Sequence, residues 1–309
     1  MVQPQSPIQS QSFPPGHWWR NPFLLLTLAV LFWAGNIIVG RASVELLPPA
    51  ALSFWRWLCA LLVILPFTGR RVWAQRGLII EHWRILVLQS VLSITLFTLL
   101  FYLGLSNTTG INAAAVNTMM PIMIMLVAWV AGEPAGGRQR IGVSLALIGV
   151  LVIISKGSLG VLLALGFNTG DLWILASGLC WALYTVVIRH HRSPIDGLVS
   201  LTVCAALGCL MLLPFWLFEL SRGALPVLQL GSFMTVLYVG IFPSLLSYYF
   251  WNQGVLSIGP NAAGVFLHLV PIVTILLAWL LLDERLASYH LIGLGLTFSG
   301  VLLSSRVSR

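Results

Sequence analysis

The stretch Ala113–Glu133, AAAVNTMMPIMIMLVAWVAGE, returns at Ala263–Glu284 as AGVFLHLVPIVTILLAWLLLDE. With an offset of 150, Ala113, Pro121, Ile122, Leu126, Ala128 and Trp129 meet Ala263, Pro271, Ile272, Leu276, Ala278 and Trp279. One extra residue then shifts Glu133 onto Glu284, and Ile141, Gly142, Gly149 and Val150 match Ile292, Gly293, Gly300 and Val301. Upstream, with an offset of 148, Trp33-Ala34, Val39 and Arg41 match Trp181-Ala182, Val187 and Arg189. The chain is therefore a tandem repeat of about 150 residues, and a repeat of that length constrains the fold before any local reading does.

The solvent for both copies is lipid. Of 309 residues, 59% are hydrophobic and 8% charged, where a soluble domain carries about 25% charged residues. The net charge of +8 sits mostly in short loops between apolar runs, so it marks orientation rather than nucleic-acid binding. Cys59, Cys180, Cys204 and Cys209 all fall inside apolar runs. They show no zinc spacing and read as packing residues. Residues 1–20, rich in Gln, Ser and Pro, read as a disordered cytoplasmic tail. The run from about Pro22 to Ala42 exceeds a signal-peptide core and reads as a retained span.

A spanning helix needs about 20 apolar residues. Ten such runs centre near Leu31, Cys59, Thr95, Pro121, Ala146, Leu179, Gly208, Leu245, Val270 and Leu296. They divide into a first five-helix repeat over 21–156, a linker over 157–169 and a second repeat over 170–305. With the N-terminus cytoplasmic, the inside segments hold Arg20, Arg70, Arg71, Arg76, Arg84, Arg138, Arg140, Arg189, Arg192, Arg306 and Arg309. The outside ends hold Arg41, Lys156, Arg222 and Arg285. Eleven against four is a positive-inside bias, placing both termini in the cytoplasm. An odd number of spans per copy makes the second copy enter the membrane upside down. The expected fold is an all-α integral membrane protein of ten transmembrane helices in two inverted five-helix repeats. Many secondary transporters have this architecture, with the substrate site near the midplane between the repeats.

Several residues stand out against this apolar background. Pro121 and Pro271 lie mid-span and free the carbonyls of Asn117 and Leu267, which must then find partners or line a wet cavity. They read as hinge points. Asn117 and Thr118 in one copy, and His268 in the other, bring polar groups to matching depth. His268 is the group deep in the second repeat that titrates near neutral pH; a satisfied packing histidine is the plainer reading. Arg56 lies about seven residues, roughly 10 Å, into the second span. A charge at that depth is a functional hypothesis by default. It would hold a substrate carboxylate, snorkel to the interface beside Trp55 and Trp57, or pair with Glu45. Trp33 and Trp181 occupy matching mid-span positions, whereas interfacial belts place Trp at span ends. With Asn36, Tyr102, Tyr184 and Tyr248 they suit an aromatic cavity holding a few polar groups. Gly142, Ala146 and Gly149, and their mates Gly293, Thr297 and Gly300, form small-residue packing faces. These faces leave homo-oligomerisation open. No catalytic dyad, metal cluster or cofactor motif is evident.

The sequence resembles the drug/metabolite transporter superfamily, specifically its ten-span EamA-type members. The resemblance rests on FWAGNIIVGR (Phe32–Arg41), PPAALSFWRW (Pro48–Trp57) and NTTGINAAAVNTMMP (Asn107–Pro121). In the second copy it rests on SGLCWALYTVVIR (Ser177–Arg189) and the block from Ser257 to Glu284. It covers about residues 21–305 and implies an inner-membrane carrier, often an exporter of amino acids or other small metabolites. It also implies a cavity lined by spans 1, 3, 4, 6, 8 and 9. Together these readings give a multi-pass exporter of small metabolites working by alternating access, without cofactor and without enzymatic activity. Its partners are a small-molecule substrate and the bilayer, not nucleic acid. The alternatives are an intramembrane enzyme, a channel and a structural or signalling membrane protein.

Overall fold

The computed structural model describes residues 21–43, 46–108, 116–155, 157–163, 169–191, 193–227, 229–274 and 288–305, and every regular element among them is helical. The helices in chain order are α1 (Pro22–Ala42), α2 (Pro49–Ala74), the short α3 (Arg76–Glu81), α4 (Trp83–Asn107), α5 (Met120–Val130) and α6 (Gly137–Ile154). After the short α7 (Leu159–Leu163) come α8 (Thr169–His190), α9 (Gly197–Ser221), α10 (Leu230–Ile258), α11 (Pro260–Thr274) and α12 (Ser288–Ser305). Six of them (α1, α2, α4, α8, α9 and α10) are long and apolar enough to cross a membrane, and α5, α11 and Leu291–Leu303 of α12 are shorter apolar helices.

The helix starts follow from local chemistry. Asn21 accepts a hydrogen bond at Oδ1 from Phe23 N (3.0 Å) ahead of Pro22, a capping residue followed by the one residue with no N–H to satisfy. Asp196 caps α9 through Leu198 N (2.9 Å) and Val199 N (3.2 Å). The start of α2 has no side-chain cap of its own. Instead the Glu219 carboxylate, from the far end of α9, accepts from Ala50 N and Ala51 N at 2.9 Å each. At the opposite end, Gln75 Oε1 accepts from Asp196 N (3.0 Å) and Arg71 lies 4.0 Å from the Asp196 carboxylate. Helices α2 and α9 therefore run antiparallel, clasped at both ends.

The repeat recurs as backbone detail. Pro66 in α2 and Pro214 in α9 sit inside their helices at an offset of 148. In α4 a π-helical turn spans Val91–Leu96, and in α10 its mate spans Gly240–Leu246. Neither proline of the opening motif follows an unbroken run of α-helical turns. Residues 118–119 form a turn and Pro121 lies in the first turn of α5, where its missing N–H costs nothing. Pro271 follows a 3-10 turn, Phe266–His268. The irregular turns lie two to five residues ahead of the prolines, where each ring removes the hydrogen bond to the carbonyl four residues back, that of Asn117 or Leu267.

Helix α6 packs on α12 within one chain. A Cβ on Gly149 would come within 2.5 Å of Thr297 Oγ1 and 2.6 Å of Gly293 O, and one on Gly300 would strike Gly142 O and Ala146. The small-residue faces are complementary and antiparallel, and Thr297 Oγ1 donates to Gly293 O at 2.8 Å. The remaining helices surround a core that includes Leu26, Trp57, Ile94, Trp181, Leu212, Tyr248 and Trp251. Phe67, Val130, Leu62 and Leu210 point outward, as side chains facing lipid do.

Candidate functional site

The π turn in α10 organises the site. Proline at 243 has no N–H, which leaves Val239 O, four residues back, without its helical donor; in the widened turn the carbonyl of Pro243 itself accepts from Trp33 Nε1 at 3.0 Å. The next residue, Ser244, donates to Val239 O (2.7 Å) and accepts from Arg56 Nε (2.7 Å). The other side of the guanidinium is held by α4. Arg56 Nη1 donates to Tyr102 Oη (2.8 Å), which donates in turn to Asn36 Oδ1 (3.0 Å). The Arg56 Cζ lies 5.8 Å from the Trp57 ring centroid and 5.6 Å from that of Tyr102. Arg56 is 2% exposed, so it does not snorkel. Among the described residues no carboxylate comes within ion-pair distance of it; Glu45 lies outside those residues.

Arg56 faces a narrow cavity walled by Trp33, Asn36 and Ile37 of α1, Phe97 and Phe101 of α4, Asn117, Met120, Trp181, Leu267 and Val270. Asn117 Oδ1 and Trp181 Nε1 are buried and have no hydrogen-bond partner. The wall comes from α1, α2, α4, α8, α11 and the chain at and just before the start of α5, where the expected spans 1, 2, 3, 4, 6 and 9 fall, whereas the resemblance implies the expected eighth span and not the second. Helix α10 stands behind the wall, its π turn holding Trp33 and Arg56 from the rear.

Of the nine residues singled out from sequence, Trp33, Asn36, Arg56, Asn117 and Trp181 line this cavity. Tyr102 orients Arg56. Tyr184 and Tyr248 belong to an aromatic layer beneath. Trp181 lies 5.2 Å from its repeat mate Trp33, 5.1 Å from Tyr248 and 5.4 Å from Tyr184, measured between ring centroids. Trp251 and Trp57 complete the layer. His268 is 1% exposed with both ring nitrogens unpartnered; its neighbour Leu267 lines the cavity and it does not. Sequence reasoning missed Ser244 and Phe97. Pro243 inside an apolar run was the available signal for the first; nothing distinguishes Phe97 from packing phenylalanines.

Beyond the aromatic layer lies a second, polar cavity, lined among others by Gln89, His191, Ser193, Ser200, Asn252 and Gln253. Tyr184 Oη donates across the boundary to Asn252 Oδ1 at 2.9 Å. At this same end, Glu133 joins four helix termini. Its carboxylate lies 3.5 Å from Arg189 Nε and 3.7 Å from His190 Nε2, and its carbonyl accepts from Asn261 Nδ2 at 2.9 Å. Arg189 Nη1 donates to Leu256 O at 2.9 Å. The ends of α5, α8 and α10 and the start of α11 are thus drawn together. Among the described residues no group of three or more His, Cys, Asp or Glu side chains is placed to hold a metal ion.

Comparison with known proteins gives this geometry its family. The model of the EamA-like transporter family matches residues 21–155 and 168–306. The chain belongs to the EamA-like transporter family. Each matched unit of this EamA-like transporter contains one copy of the opening repeat. It is 28% identical over 294 residues to the uncharacterized transporter YyaM of Bacillus subtilis, covering 94% of this chain and 95% of the relative. A transporter of Archaeoglobus fulgidus is 31% identical over 285 residues, covering 91% and 96%. A probable amino-acid metabolite efflux pump of Escherichia coli is 24% identical over 297 residues, covering 92% and 95%. One solved crystal structure, 20% identical, superposes with a TM-score of 0.74 over 92% of this chain and 96% of the other, which shows a shared fold. The transporter is a multi-pass membrane protein.

Proposed function

We propose that this EamA-like transporter is a secondary transporter that exports small metabolites such as amino acids across the bacterial inner membrane by alternating access. The observation that carries the reading is the inequality of its two ends. One half of the molecule holds a cavity walled by a buried arginine and aromatic rings, and the aromatic layer separates it from the polar cavity at the other end. A single-state pore would have no such partition. Repeat mates α2 and α9, and α6 and α12, pack antiparallel, which supports an inverted arrangement of ten spans. Inverted repeats let one sequence build two access states of nearly equal energy, the condition for populating both.

In this mechanism both termini lie in the cytoplasm. The Glu133 network then closes the inner side and the Arg56 cavity faces outward. The loosened turns ahead of Pro121 and Pro271 are the hinge points. The probable amino-acid metabolite efflux pumps among the relatives support the substrate class and the direction. The cargo crosses without covalent change. Counterflow in proteoliposomes tests the reading. Vesicles preloaded with an unlabelled amino acid should accumulate the same labelled amino acid transiently above equilibrium. Simple equilibration with no overshoot, for every common amino acid, would contradict it.

A further inference from the structure

We infer that the cavity is built for a zwitterion, with the cargo carboxylate on Arg56 and Trp181 Nε1 and its ammonium against Asn117 Oδ1. This deepens the carrier reading above and rests on it. Three polar groups of the cavity wall lack the partners that buried groups require. Arg56 is 2% exposed, and its described partners, Ser244 and Tyr102, are both neutral. A buried charge left without a counter-charge is expensive and is retained where something supplies one. The repeat position of Arg56 is Cys204, at an offset of 148, so the fold does not need a cation there. Trp181 is 1% exposed, and its indole N–H has no acceptor, although its repeat mate Trp33 has one in Pro243. Asn117 Oδ1 is a buried acceptor with no donor.

One cation, one orphan donor and one orphan acceptor make a complementary set. A carboxylate cancels the arginine charge one for one and has lone pairs left for an indole N–H. A phosphate dianion would leave excess negative charge against aromatic walls. A simple amine would bring a second positive charge into a buried site that already holds one. An ammonium attached to the carboxylate carrier adds the N–H donors that Asn117 lacks and leaves the occupied site with a single net positive charge. The faces of Trp33 and Phe97 are left for the apolar remainder of the molecule. The carboxylate is thus the obligatory handle: decarboxylated amines and carboxamides are discriminated against.

The test is ligand binding by the purified full chain in detergent, read by thermal stability and by indole fluorescence. The probes are the twenty common amino acids, their amides and their decarboxylated amines. At least one amino acid should bind about tenfold or more tightly than both its amide and its amine, the scale of a charge-assisted hydrogen-bonded pair. In Arg56→Gln the gap between acid and amide should close. In Asn117→Asp the balance should shift toward the amine. If Arg56→Gln does not fold, the wild-type acid–amide gap and Asn117→Asp decide alone. Amides or amines binding as tightly as acids, or no amino acid binding at all, would overturn the assignment. Trans-stimulated flux of both acid and amide with equal affinity would overturn it while leaving the carrier standing. A tightly bound amino acid that shows no trans-stimulated flux would overturn the carrier and leave the zwitterion site.

Discussion

Tyr102 does its work with one oxygen, accepting from Arg56 and donating to Asn36. Removing that oxygen leaves the guanidinium a poorer frame and Asn36 Oδ1 without its donor. Tyr102→Phe should therefore keep the fold, because the ring stays packed against Phe101. It should raise the KM for transport by about tenfold, the cost of one or two hydrogen bonds to a charged group. Michaelis kinetics in proteoliposomes check this; an unchanged KM would place the Arg56 frame outside the binding site. His268 presents the opposite case. Both its nitrogens are buried and unpartnered, so it already bears the desolvation cost of polar atoms that make no bond. His268→Leu should leave the melting temperature in detergent equal or higher and leave transport intact. A large loss of transport with an intact fold would restore His268 to the cargo path.

At the scale of elements, the α6–α12 pair sets the tightest limit on substitution. Lipid supplies no hydrophobic drive between helices, so this pair rests on close backbone approach. Gly149→Leu drives side-chain atoms into Gly293 O and Thr297, and overpacking of this kind costs about 1–3 kcal/mol or more. Gly295 faces open space, so Gly295→Ala should be neutral or stabilising, since alanine is the better helix former. Thermal unfolding of the two variants side by side reads the contrast. Glu219→Gln replaces a two-oxygen cap of α2 by one acceptor and should destabilise by about 1 kcal/mol. The α6–α12 face was legible in sequence as Gly142, Ala146 and Gly149 with their mates; its partner was not, because spacing says nothing about which helix comes near. The π turns were not legible at all. Val91–Leu96 has no proline, and its mate carries Pro243, so no shared residue marks both. Arg56 stood out because charge is rare at depth, yet its partners Ser244 and Tyr102 lie 188 and 46 residues away. Hydrophobic periodicity carries no information across such separations.

Across the whole molecule the halves share backbone but not bonding. Trp33 donates to the π turn of α10; in the corresponding turn of α4, Ser93 O is taken by Tyr248 Oη at 2.7 Å, and Trp181 goes without. A symmetric sequence held in an asymmetric bonding pattern is what one access state of an alternating carrier requires. In the proposed carrier this end must open, and the contacts there are individually weak. The Glu133–Arg189 pair is partly exposed, a class worth about 0–1 kcal/mol, and each ring pair of the aromatic layer adds about 0.5–1.5 kcal/mol. The repeat mates of Glu133 and Arg189 are Glu284 and Arg41, so the same charges recur in the other half. Glu133→Gln should loosen the closed end and raise the labelling of an Asn252→Cys reporter, which lies at the second cavity, by a membrane-impermeant thiol reagent. The most direct measurement is to lock that end. In Glu133→Cys/Arg189→Cys, a short thiol cross-link should abolish counterflow in folded protein, and its chemical reversal should restore the flux. Cross-linked protein that transports at the full rate would contradict alternating access through this end of the molecule.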